Sequence, residues 1–188
     1  MFFALGAAMI TGMAQEPACA KTLGLVVAVL LFVSVRTMAA DSPLTDKPRV
    51  PDDMHDVAVA AADHFKKGEY DAAAACYQQI IDKHPDSLYA WSNLGVVRFQ
   101  QRNYDGARAA LEKAVALSPQ DALSHWDLGL VYYQLRRYDD AIRVLKEAVR
   151  LDPNNAAIWN FLGSCYSKKG DQQKAAADFK KATEMDRN

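Results

Sequence analysis

Three prolines set the frame for this chain: Pro85, Pro119 and Pro153 lie 34 residues apart, and stepping by that interval recovers other residue types in phase. Tyr70, Tyr104 and Tyr138 keep the step, as do Ala73, Ala107, Ala141 and Ala175. Small residues recur at Ala61, Gly95, Gly129 and Gly163, with Leu94, Leu128 and Leu162 before the three glycines. A fixed period of this length points to stacked supersecondary units. The unit is clearest from Leu123 to Pro153. There Leu128, Gly129, Tyr132 and Leu135 share one face of a 3.6-residue period, and Ala141, Leu145, Ala148 and Val149 form a second. Asp152 and Pro153 end the second helix. One such helical hairpin cannot cover its own apolar faces, so it needs neighbours of the same kind, which predicts an all-α stack of about four hairpins.

The in-phase residues resemble the tetratricopeptide repeat, whose pattern is W-x2-L-G-x2-Y, then A-x3-F, then A and P. The fourth copy is similar throughout, with Trp159, Leu162, Gly163, Tyr166, Ala175, Phe179 and Ala182. The second has Trp91, Leu94, Gly95, Ala107, Leu111, Ala114 and Pro119 but carries Arg98 at the aromatic position. The third has His125 where tryptophan is usual, with Trp126 one place later. The first is degenerate, with Val57, Ala60 and Ala61 in place of W, L and G, and keeps Ala73, Tyr77, Ile80 and Pro85. The resemblance implies a right-handed α-solenoid over residues 54–188, in repeats 54–87, 88–121, 122–155 and 156–188. The last helix has no successor in the sequence, so Phe179 and Met185 are expected to offer a small apolar surface to a partner or to a homodimer formed through the last repeat.

Residues 41–188 carry 20 Lys and Arg against 22 Asp and Glu, with the signs interspersed, so no nucleic-acid partner is expected. Asp139, Arg143 and Glu147 are spaced as an i, i+4, i+8 ladder on a solvated helix face. His55, His64, His84 and His125 lack metal-ligand spacing, so no metal site is expected. The nine glycines form no phosphate-binding loop, and no strand-turn-helix elbow presents a nucleophile, so neither a cofactor nor catalysis is expected. Cys76 and Cys165 fall three stacking steps apart, well beyond disulfide reach, and read as packing residues.

The first forty residues have another character. Thr22 to Val35 is an uncharged apolar run between Lys21 and Arg36, and small residues follow it. At 1.5 Å per residue it spans about 21 Å, short of a ~30 Å hydrocarbon core, and it has the length of a signal-peptide core. Residues 1–40 are therefore read as a leader, either cleaved after Ala39 or Ala40 or kept as a membrane anchor. The earlier apolar run Phe2 to Ala14 leaves open a start at Met13. Either fate predicts an exported protein, periplasmic or anchored to the cytoplasmic membrane facing outward, touching membrane through the leader alone. Residues 41–53, with Pro43, Pro48 and Pro51, form a linker, and Asp52 or Asp53 is expected to cap the first helix near Met54.

The resemblance also implies where a partner would lie: the first helices line a concave groove, faced by positions 2, 5, 9 and 12 of each repeat. Carried over, these positions are His55, Ala58, Ala62 and Phe65; Tyr89, Ser92, Val96 and Phe99; Leu123, Trp126, Leu130 and Tyr133; and Ala157, Asn160, Ser164 and Ser167. The expected protein-binding set is Tyr89, Val96, Phe99, Leu123, Trp126, Leu130, Tyr133 and Asn160. Some of these side chains could instead fill a tight superhelix, Trp126 above all, as a substitute for the tryptophan missing at 125. The family's clamp for the C-terminal carboxylates of chaperones needs Lys, Asn and Arg where this chain has Ala58, Ala62, Asn93, Leu123 and Asp127, so that ligand is not expected. The function expected is a non-enzymatic scaffold or adaptor holding a peptide segment or helix of another protein. The alternatives are a self-associating structural subunit of an envelope or secretion assembly and an accessory domain for envelope enzymes.

Overall fold

In the computed structural model, residues 49–185 are described; the leader and most of the linker lie outside them. A 3-10 turn at Asp52–Met54 opens onto eight α-helices: α1 His55–Lys66, α2 Tyr70–Lys83, α3 Leu88–Gln100, α4 Tyr104–Leu117, α5 Ala122–Gln134, α6 Tyr138–Leu151, α7 Ala156–Lys169 and α8 Gln172–Met185. Among the described residues there is no strand. Each odd-numbered helix pairs with the next to make a hairpin, and each second helix packs on the first helix of the following hairpin. The first helices α3 and α5 also touch each other directly. The described residues thus form an all-α solenoid of four hairpins, as the 34-residue step implies.

Every hairpin turn is built in the same way. Gly68, Arg102, Arg136 and Gly170, again 34 apart, all have positive φ, at 77°, 60°, 58° and 92°. The next amide donates back to a carbonyl five residues earlier: Glu69 to His64, Asn103 to Arg98, Arg137 to Tyr132 and Asp171 to Tyr166. This is a Schellman ending, which satisfies carbonyls that the helix leaves free. Two turns use glycine, which adopts that backbone without strain, and two place an exposed arginine there.

Between hairpins, the proline turns are tied down by the side chain at the fourth position of the next repeat. Trp91 Nε1 donates to the Pro85 carbonyl at 2.8 Å and Trp159 Nε1 to that of Pro153 at 2.9 Å. His125 makes the same bond to Pro119 at 3.0 Å. A carbonyl only accepts, so His125 must carry its proton on Nε2 there. His125 therefore does the work of the missing tryptophan, and Trp126 is released from that role. The first turns of α3, α4, α5 and α7 are capped by Ser87, Asn103, Asp121 and Asn155, whose side chains accept from amides at the helix start.

Close approach within each hairpin explains the glycines. A Cβ on Gly95 would lie 2.5 Å from Leu111 Cγ, one on Gly129 2.7 Å from Leu145 Cγ, and one on Gly163 2.9 Å from the Phe179 ring. Leu111 and Leu145 are fully buried, as are Val97, Val131 and Cys165, which share one position of three successive repeats. Cys165 is thus a core residue, and burial pushes its thiol up to about 12. Cys76 is half-buried, and both cysteines are free.

Two expectations need correction. Neither Asp52 nor Asp53 caps α1, because the 3-10 turn places Met54 at the cap position. Asp53 instead reaches Lys83 at 2.6 Å and His84 at 2.8 Å, and the hydrogen bond from Lys83, with a smaller one from His84, holds its carboxyl below the ordinary value. The ladder Asp139, Arg143, Glu147 does not form. Arg143 pairs with Asp140 and Glu147 with Arg150, both at i, i+3 within the helix, and Asp139 pairs with Lys169 of the next hairpin, so nearer partners replace the i, i+4 ones. Phe179 lies against Gly163 and is half-buried, as is Met185.

Candidate protein-binding face

The inner side of the stack is made by the first helices α1, α3, α5 and α7, and it divides the eight expected contact residues into two groups. Val96, Phe99, Trp126 and Leu130 are buried, with 2–4% of their surface exposed. Tyr89, Leu123 and Tyr133 are half-buried, and Asn160 is exposed. The direct contact between α3 and α5 accounts for part of this, since side chains between two touching helices are covered by both.

Aromatic pairing accounts for the rest. The ring at position 12 packs on the turn tyrosine of its own hairpin: Phe65 on Tyr70 at 5.6 Å between centroids, Phe99 on Tyr104 at 5.5 Å and Tyr133 on Tyr138 at 5.6 Å. Such pairs add roughly 0.5–1.5 kcal/mol beyond area burial. These rings lock the hairpins first. The period of the tyrosines was visible in the sequence, but their pairing with position 12 needs the turn geometry that brings the two rings together.

Phe161 on α7 is the residue that the expected set lacks. Its ring lies 5.5 Å from that of Trp126 and 5.0 Å from that of Tyr133, so it closes over both from the next repeat. It sits at position 6, outside the groove positions 2, 5, 9 and 12. Trp126 Nε1 is buried and has no hydrogen-bond acceptor. Burial also raises the Tyr133 phenol above its ordinary value. The residues left partly or fully open on these helices include Tyr89 on α3, Leu123 and Tyr133 on α5, and Phe161 and Asn160 on α7, with the Tyr133 and Phe161 rings 5.0 Å apart.

The clamp positions agree with the residue types. Ala58 and Asp127 are buried, and no lysine or arginine stands among Ala58, Ala62, Asn93, Leu123 and Asp127. Among the described residues no group of three or more His, Cys, Asp or Glu side chains is placed to hold a metal ion.

Models of the tetratricopeptide-repeat family match residues 59–122, 98–165 and 132–188, which together exceed half of the chain. The chain belongs to the tetratricopeptide-repeat family. Among solved structures, this repeat protein is similar to a MamA from MSR-1 at 26% identity, with a TM-score of 0.65 over 89% of this chain and 90% of that one. MamA from Desulfovibrio magneticus RS-1 shows the same fold at 24% identity, with a TM-score of 0.68 over 85% and 95% of the two chains. The first tetratricopeptide domain of Spaghetti (RPAP3), bound to the HSP90 peptide SRMEEVD, shares the fold at 22% identity, with a TM-score of 0.60 over 62% and 93%. No curated protein matches the sequence.

Proposed function

We propose that this protein is a non-enzymatic adaptor that holds an extended segment or helix of a partner protein along its inner face. The observation that carries the reading is the half-open row of Tyr89, Leu123, Tyr133 and Phe161 on three successive first helices, with exposed Asn160 at its end. An amphipathic helix or an apolar peptide is the ligand that such a row suits, with aromatic rings as anchors and a polar group at the margin. The acidic HSP90 peptide of the RPAP3 complex is not favoured, because the clamp positions here hold alanine, leucine and a buried aspartate in place of basic residues.

A partner recovered by cross-linking, then measured by calorimetry, tests the reading. Tyr89→Ala should weaken binding by about 1–3 kcal/mol, the range for an aromatic anchor, and Tyr133→Ala by a similar amount. Raising ionic strength should change affinity little, since the row contains no charged side chain. Normal binding by both variants would move the interface elsewhere.

We further place the adaptor outside the cytoplasmic membrane, on the strength of the leader pattern in residues 1–40. Mass spectrometry of the native protein should find an N-terminus at Ala40 or Asp41, or an intact leader in the membrane fraction. An intact chain in the soluble cytoplasmic fraction would end this part of the proposal.

A further inference from the structure

The last two hairpins form an open pocket of about 230 Å3 between α6, α7 and α8, away from the row just described. Its apolar walls come from Val149, Leu162, Trp159 and Tyr166. Asp178 of α8 also lines it, 8% exposed, with a buried Oδ2 that accepts no hydrogen bond. Burial raises the Asp178 carboxyl above its ordinary value, against the pull of Lys181 and Lys146.

The repeat register shows how unusual this acid is. The equivalent positions in earlier repeats hold Cys76, Ala110 and Val144, and the last two are buried packing residues. In the third repeat the same place is bridged by Tyr132, whose hydroxyl donates to Glu112 Oε1 at 2.8 Å. In the fourth, Lys146 stands where Glu112 stood and Asp178 where Val144 stood. An unsatisfied buried carboxylate is costly, and a core position that carries one points to a donor supplied from outside.

The rim limits what that donor can be. Lys181 Nζ lies 4.1 Å from the centre of the Trp159 ring, and Lys174 and Lys146 lie 5.4 and 5.9 Å from that of Tyr166. Lys174 is paired with Asp171 at 2.7 Å, so it is the ammonium groups of Lys146, in the lining, and Lys181, over the Trp159 ring, that repel a cationic side chain, while the carboxylate inside repels an anionic one. What fits is a flat apolar body with one neutral donor at its tip. The volume suits a single side chain, being below the usual range of small-molecule sites.

We infer that this pocket is a second docking site, which takes a tyrosine side chain from an acidic segment of a partner protein. The ring lies among Val149, Leu162, Trp159 and Tyr166, the hydroxyl donates to the Asp178 carboxyl, and acidic neighbours of the tyrosine meet Lys146 and Lys181. The inference does not depend on the inner face being a binding site.

The test is a nitrogen-15 NMR titration of the full chain, read at the Trp159 indole N–H, which is fixed by its bond to Pro153, and at the amides of Ala177 and Asp178. The probes are the capped peptides Glu-Glu-Tyr-Glu, Glu-Glu-Phe-Glu and Lys-Lys-Tyr-Lys. The first should shift these signals and bind at least about ten-fold more tightly than the second, the factor expected of one hydrogen bond to a carboxylate. Asp178→Val, which installs the residue of the third repeat, should keep the fold and abolish the preference for tyrosine over phenylalanine. Equal binding of the first two probes to the unaltered chain would overturn the inference. So would tighter binding of the lysine-flanked probe, or the absence of any shift at Trp159.

Discussion

Gly129→Leu is expected to lower the melting temperature by several degrees, through a loss of about 1–3 kcal/mol or more. The reason is local and steric. A Cβ at Gly129 would already stand 2.7 Å from both Cγ and Cδ2 of Leu145, whose side chain is wholly buried and cannot swing aside. A full leucine adds three more carbons to that contact, so α5 and α6 must separate and lose packing along their length. The companion experiment is Gly129→Ala made with and without Leu145→Ala. Shortening Leu145 opens the space that the new methyl needs, so the double variant should be less destabilised than the sum of the two singles. An unchanged melting temperature for Gly129→Leu would mean that the two helices do not approach as closely as described.

The second large effect is expected at Trp126. Only 2% of its surface is exposed, its ring meets Phe161 at 5.5 Å, and Phe161 also covers Tyr133. Trp126→Ala should therefore open a cavity at the junction of the third and fourth repeats and cost about 3–5 kcal/mol. Tyr89→Ala, at a half-open ring, should cost less. Denaturant titration of the two variants side by side separates the roles. If Trp126→Ala were as stable as the parent chain and had lost its partner, Trp126 would be a contact residue and the inner face more open than the structure shows.

These two residues also show what the sequence could convey. Gly129 was legible because the constraint on it is periodic: the same small residue returns at 95, 129 and 163, wherever a hairpin brings a bulky side chain against the facing helix. Helix number, hairpin limits and proline turns follow from the same kind of repetition. Trp126 was not legible, since its surroundings depend on how far one repeat rotates on the next. A single departure from the pattern, His125, suggested that Trp126 had moved into the vacant role. The structure shows that His125 makes the bond to the proline carbonyl by itself. Whether Val96, Phe99 and Leu130 would be buried stayed open for a similar reason, because face-lining positions describe a direction from the helix axis and say nothing about how near the neighbouring helix stands. Phe161 lies outside the groove positions 2, 5, 9 and 12, and Asp178 stands on a second helix, which carries none of them. Asp178 could have been noticed as an acid among Cys76, Ala110 and Val144 in one column of the repeat.

The order of the helix contacts has a mechanical consequence. Apart from the touch between α3 and α5, each helix rests chiefly on those next to it along the chain, so the described stack behaves like a short row of hinged plates. A guest lying across α3, α5 and α7 would span three plates at once and join units that the chain itself links only in succession. Its grip would set the curvature of the row, and the row's stiffness would in turn decide which lengths of guest can be held.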